Sequence, residues 1–287
     1  MSLSLRSDAE ALAAPLPPLL AQAEQLAATV ILGEHGRRRP GLGDSFWQYR
    51  PAHATDGARA IDWRRSARSD ATFVQDKEWQ VAQSVMLWVD GAASMSFASK
   101  GQPEKGHRAR LLGLATAILL TRGGERVGLA APPLPPRRGR AQIAQLASLL
   151  GQPQDADYGI PVTTGAPTHA RALFLSDFLG PLEPIEEALA RAADREMRGA
   201  LVQVLDPEEE SFPYKGRTVF ESMGGSLSHE TLKAGDLRAA YLDRLAERQE
   251  RLADLARLSG WQLTTHRTDT PATPALAWIH GALDSRT

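Results

Sequence analysis

Two aspartates stand where this chain could do chemistry. Asp90 ends the run Ser84-Val85-Met86-Leu87-Trp88-Val89, and Asp177 ends the run Ala170-Arg171-Ala172-Leu173-Phe174-Leu175-Ser176. Each run is too short for a helix, is rich in β-formers and stops at an acid, which is how a buried strand reads when it reaches the edge of a sheet. If the two strands run parallel, both carboxylates lie on one edge, beside the crevice where α/β proteins bind their ligands. Neighbouring carboxylates repel unless a cation or a proton sits between them. A metal ion or an arginine from residues 37–68 would serve. The plainer reading is that each aspartate caps the segment after it.

Several other chemistries find no support. A phosphatase of the haloacid dehalogenase type, using Asp90 as nucleophile, needs a second acid two residues on, and Ala92 stands there. No Gly-x-Ser-x-Gly elbow, Gly-x-x-x-x-Gly-Lys loop or post-strand GxGxxG fingerprint occurs. The seven histidines form no HExxH pair, and His107 and His169, expected near the same edge, read as surface residues. The absence of cysteine removes disulfides, iron–sulfur clusters and thiolate zinc, and suits a reducing compartment.

Eight arginines fall between Arg37 and Arg68, Arg64, Arg65 and Arg68 among them, interleaved with Phe46, Trp47, Tyr49 and Trp63. Such a mixture could stack on nucleic acid. Asp44, Asp56, Asp62 and Asp70 nearly balance it, and the net charge of the chain is -1, so internal ion pairing or a protein-binding surface is favoured over nucleic acid.

These groups need elements to position them. The 287 residues, 43% of them hydrophobic, hold ample material for a core. Helices are expected at 18–30, 105–122, 140–150, 184–197, 235–259 and 273–283, with strands at 126–131, 170–175, 199–205 and 261–266 besides the one before Asp90. Residues 132–136 read as a stiff proline turn and 216–221 as a short edge strand. Strands alternating with helices predict a mostly parallel, Rossmann-like α/β sheet with helices on both faces. The expected division is residues 1–79, a helix and an Arg/aromatic segment packing on the core, and residues 80–287, the core itself. The stretch Leu12–Leu32 is broken by Pro15, Pro17, Pro18, Gln22, Glu24 and Gln25 and has no basic lead. Neither a signal peptide nor a membrane span is expected, and the chain is expected in the cytoplasm.

Gly43-Asp44-Ser45-Phe46, Tyr49-Arg50, Asp56-Gly57-Ala58-Arg59-Ala60-Ile61-Asp62-Trp63-Arg64 and Ser66-Ala67-Arg68 together resemble the signature of the domain-of-unknown-function 58 family. Val89-Asp90 to Met95, Ser176-Asp177-Phe178, Leu205-Asp206-Pro207-Glu208-Glu209, Gly260-Trp261 and Thr268-Asp269 follow in the matching order over roughly residues 36–285. The resemblance implies a von Willebrand factor A-like sheet with a metal-ion-dependent adhesion site at its upper edge. It also implies association with a MoxR-type AAA+ ATPase, or its client protein, in chaperone-like maturation. Such a site holds Mg²⁺ through an Asp-x-Ser-x-Ser run, a later Asp and a loop Thr, leaving a position for a partner's carboxylate. Asp90, Ser94 and Asp177 match, whereas Ala92 replaces the first hydroxyl. Thr163, Thr164 and Thr168 all remain candidates for the loop ligand. The implied metal site is degenerate, with Mg²⁺ weak or absent. The implied function is a non-enzymatic interaction module. Its docking residues would be Asp90, Ser94, Met95 and Asp177, with Arg64, Arg65 and Arg68 nearby.

Overall fold

The computed structural model describes residues 16–33, 48–52, 61–68, 71–76, 82–152, 156–163, 165–221, 225 and 228–284. By its contacts the chain divides into two units, residues 33–82 and the remainder. Helix α1 (Leu16–Gly33) belongs with the larger unit. In the smaller one, β1 (Gln48–Pro51) pairs antiparallel with β2 (Phe73–Asp76), and a helical turn, α2 (Trp63–Ser66), lies between them in sequence. Asp62 caps that turn, its Oδ1 accepting from the Arg64 and Arg65 N–H groups at 3.1 and 3.0 Å.

The larger unit is built on β3 (Ser84–Val89), a strand buried along its whole length. A 3-10 turn (Ala93–Ser96) and helix α3 (Lys105–Arg122) follow, then β4 (Arg126–Leu129), β5 (Leu134–Arg137) and α4 (Arg140–Leu150). Next come β6 (Arg171–Ser176), α5 (Glu183–Ala193), β7 (Arg198–Leu205) and the short α6 (Pro207–Ser211). A separate antiparallel pair, β8 (Thr218–Glu221) with β9 (Ser228–Thr231), precedes the long α7 (Ala234–Leu258), β10 (Gln262–Arg267) and α8 (Ala272–Asp284).

The central sheet has six strands in the order β10-β7-β6-β3-β4-β5, all parallel except β5. From β3 the chain moves one way to β4 and β5, then returns to the other side of β3 to lay down β6, β7 and β10. The reversal makes β3 and β6 a topological switch point. The proline turn expected at 132–136 is in part the antiparallel edge strand β5. Prolines are tolerated there because an edge strand can spare donors. Likewise the expected edge strand at 216–221 belongs to the separate β8–β9 pair.

Period-two alternation sends β3 side chains to opposite faces. Val85, Leu87 and Val89 join a core with α1, α3, α4 and α8, through residues such as Ala23, Leu112, Leu146 and Leu276. Met86 and Trp88 face the other way, into a core with α5 and α7 through Leu189 and Leu252. Aromatic rings dominate this second face: Trp88 meets Phe174 edge-on at 5.7 Å, and Phe174 lies 4.9 Å from Trp261. Among the described residues no helix is long and apolar enough to cross a membrane.

Candidate functional site at the carboxyl edge of the sheet

Because β3 and β6 are parallel neighbours in register, Val89 opposite Leu175, the residues that follow them emerge side by side. Asp90 and Asp177 therefore share the carboxyl edge, and each is 1% exposed. The Asp90 carboxylate is fully engaged. Oδ1 accepts from the Ala92 N–H at 2.8 Å and Oδ2 from the Ser176 hydroxyl at 2.6 Å. The Gly159 N–H donates to it as well. Gly159 can approach only because it lacks a side chain: a Cβ there would fall 2.2 Å from Asp90 Oδ1. Burial pushes the Asp90 carboxyl above its ordinary range, the nearby Asp177 charge adds to this, and the three donors oppose it.

Asp177 is balanced by a cation that sequence reasoning missed. Lys105, the first residue of α3 and 1% exposed, donates from Nζ to Asp177 Oδ2 at 2.9 Å and to Glu209 Oε1 at 2.5 Å. Its ammonium also lies 5.8 Å from the centre of the Phe97 ring. Burial alone would lower the lysine pKa, but the charges of Asp177 and Glu209 outweigh it and hold the ammonium above its ordinary value. The remaining oxygens are occupied too. Asp177 Oδ1 accepts from the Leu179 N–H at 3.0 Å, and Glu209 Oε2 from the Asp206 N–H at 2.9 Å.

The next parallel strand repeats the pattern. After β7, Asp206 opens α6 with a capping box shared with Glu209. Its Oδ2 accepts from the Ser99 N–H and hydroxyl at 2.9 and 3.0 Å. This signal stood in the sequence as Asp206-Pro207-Glu208-Glu209. Lys105 carried none, because nothing in a helical period marks a lysine for burial.

The other expected residues fall as follows. Met95 is 2% exposed, and its thioether sulfur accepts from the Asp177 N–H at 3.3 Å, so it packs beneath the site. Asp90 and Asp177 are buried to the same degree. Ser94 is half-buried, and its hydroxyl has no hydrogen-bond partner among the described residues. Its N–H is tied to Asp157 O at 2.9 Å, which brings Asp157 and Tyr158 to the edge where a loop threonine was expected. Thr163 is buried, Thr168 is exposed, and Thr164 lies outside the described residues. Arg64, Arg65 and Arg68 are exposed on the separate unit. Of the neighbouring acids only Asp62 is described; Asp44, Asp56 and Asp70 lie outside. Among the described residues the cation beside Asp177 is Lys105, a lysine of the larger unit. His169 precedes β6 and so sits at the opposite, amino edge, 3.2 Å from Glu196, whereas His107 contacts Gln22 on α1 at 3.2 Å.

A cavity of about 140 Å³ opens at this edge, lined by Ser94, Phe97, Lys105, Tyr158, Asp177 and Glu209 among others. Burial and the charges of Asp177 and Asp157 push the Tyr158 phenol up, the mark of an electronegative surround. The donor set does not suit Mg²⁺. That ion demands near-octahedral oxygens at close range, yet an ammonium is fixed between Asp177 and Glu209, Ala92 offers a methyl group, and Asp90 is saturated by donors. Among the described residues no group of three or more His, Cys, Asp or Glu side chains is placed to hold a metal.

Fold and edge together define a mostly parallel α/β protein, compatible with a Rossmann-like or von Willebrand factor A-like fold, with a buried lysine held between Asp177 and Glu209 at its carboxyl edge. The chain belongs to the family described as "Protein of unknown function DUF58", which matches residues 48–251. Among solved structures it is similar to an aerotolerance-related membrane protein from Bacteroides fragilis. That match has 16% identity and a TM-score of 0.42, over 71% of this chain and 99% of the other. It is also similar to the conserved hypothetical protein BatB from Bacteroides thetaiotaomicron, at 14% identity and a TM-score of 0.37, over 70% of this chain and 98% of the other. These likenesses are too distant to transfer anything to this chain. No curated protein matches it.

Proposed function

We propose that this chain is a non-enzymatic interaction module of the cytoplasm that docks a protein partner at the carboxyl edge of its sheet. The partner is a MoxR-type AAA+ ATPase, or the client whose maturation or remodelling that ATPase drives. The observation that carries the reading is the commitment of the edge carboxylates: Asp90, Asp177, Asp206 and Glu209 each accept hydrogen bonds from within the chain. A carboxylate so engaged makes a poor nucleophile or general base, because attack or proton uptake would first have to break those bonds. A rim of apolar, aromatic and acidic side chains remains outside those carboxylates, suited to recognition. Its outer contacts are Ile160, 58% exposed, with Glu221 exposed and Tyr158 and Leu179 half-buried.

The test is binding of the purified full chain to the purified MoxR-type ATPase of the same organism, measured by calorimetry beside Ile160→Glu and Glu221→Arg variants. Binding that each variant weakens at least tenfold, with melting temperatures unchanged, is the expected result. No binding, or binding indifferent to both substitutions, would overturn the reading.

A further inference from the structure

Three features make Lys105 an improbable place to keep a charge. It is 1% exposed. It opens helix α3, where the helix dipole favours anions over cations. Burying an ion also costs several kcal/mol unless its partners are very well placed. Here the partners are well placed: Asp177 Oδ2 at 2.9 Å, Glu209 Oε1 at 2.5 Å and the face of Phe97 divide the space around the ammonium. The second oxygen of each carboxylate is held by a backbone N–H, from Leu179 and Asp206 respectively. The backbone beside the lysine is itself closely packed, since a Cβ on the adjacent Gly106 would come within 3.1 Å of Met95 O. Elements from three separate parts of the chain thus converge on one positive charge: the start of α3, the loop after β6 and the turn α6.

We propose that Lys105 is the resident cation of this edge, its tethered ammonium standing where a divalent ion would otherwise draw Asp177 and Glu209 together, so that the edge assembles without metal. The disagreement between the donor set and Mg²⁺ is then a substitution of one cation for another. This holds whatever docks at the rim. It has a positive consequence: deleting the ammonium leaves two carboxylates facing the cavity beside the Ser94 hydroxyl, which has no partner among the described residues, and the three make a donor set for a hard cation.

The experiment compares the full-length wild type with Lys105→Ala and with the Lys105→Ala/Asp177→Asn double variant. Melting temperature is read in EDTA and in millimolar Mg²⁺, Ca²⁺ or Mn²⁺, and Mn²⁺ uptake is followed by the electron paramagnetic resonance of the free ion. Wild type should melt at the same temperature in all four solutions and take up no Mn²⁺. K105A in EDTA should melt roughly 5–10 °C lower, because the buried Asp177 and half-buried Glu209 carboxylates lose their counter-charge. A divalent ion should restore part of that loss, with Mn²⁺ bound near one equivalent. The double variant should melt above K105A and ignore metal, since the repulsion has gone with one carboxylate. If K105A folds only in the presence of a divalent ion, the proposal is equally supported. If it folds in none of the four solutions while the double variant folds, Lys105→Met, which keeps the bulk of the stem, takes its place with the same expectations. Stabilisation of wild type by Mg²⁺ that Asp177→Asn abolishes would overturn the proposal. So would a K105A protein that melts with wild type, or one that is weakened and gains nothing from any of the three ions.

Discussion

Lowering the pH from 7 to 4.5 should weaken this fold through His266, and the size of the effect follows from its surroundings. His266 is 5% exposed on β10, where it pairs in register with Val204. Its Nδ1 lies 3.4 Å from the Thr270 hydroxyl, and its buried Nε2 has no hydrogen-bond partner among the described residues. Burial first, and the Arg108 guanidinium second, push its pKa from 6.5 to about 4, with Asp269 opposing. Between those values the unfolded chain binds the proton and the folded chain does not, so stability present above pH 6.5 is lost as pH falls towards 4. Integrated over that gap, about 1 kcal/mol is gone by pH 5.5 and about 2 kcal/mol by pH 4.5, relative to pH 7. Urea denaturation of wild type and His266→Phe at the three pH values isolates the contribution, because every other titrating group is common to both proteins. The variant should lose about 2 kcal/mol less than wild type between pH 7 and 4.5. Equal losses in the two proteins would refute the assignment.

Three further outcomes are expected. Ser176→Ala removes the hydroxyl that donates at 2.6 Å to buried Asp90, and should lower stability by about 1–3 kcal/mol in urea titration. Gly199→Ala would place a Cβ 1.9 Å from Ala172 O across the β6–β7 ladder, so circular dichroism should report loss of the cooperative fold. Arg248→Ala deletes the guanidinium on α7 that donates to Phe178 O at 2.5 Å and to Gly180 O. Hydrogen exchange at residues 178–180 should quicken while the central strands keep their protection.

Much of the fold was legible because burial writes itself into periodicity. The helices at 105–122 and 140–150 have the expected limits, and the runs before Asp90 and Asp177 are adjacent parallel strands, as their lengths and closing acids suggested. Asp206 could have been found in the same way, as a third acid after the strand expected at 199–205, but it was not singled out. Lys105 was not, since a side chain's partners 72 and 104 residues away leave no trace in local pattern. Nor was the burial of Met95 and of the two aspartates, because a strand end can finish in solvent or beneath a loop. Here residues 156–159 cover it, drawn in by hydrogen bonds to Ala93 and Ser94. The strand at Leu134–Arg137 was hidden by its own prolines, which argue against a central strand and are silent about an edge.

In sequence, helix α1 precedes and strand β3 follows the unit formed by residues 33–82, yet Leu19, Ala23, Ala27 and Val30 share a core with Val85, Leu87 and Val89. The larger unit is therefore discontinuous in sequence, and a whole smaller unit is spliced into it. Expressing residues 80–287 alone would uncover a greasy stripe on α3 and α8 and invite aggregation. A shortened protein that keeps 16–32 and joins it to 83 through a flexible linker would retain that seal.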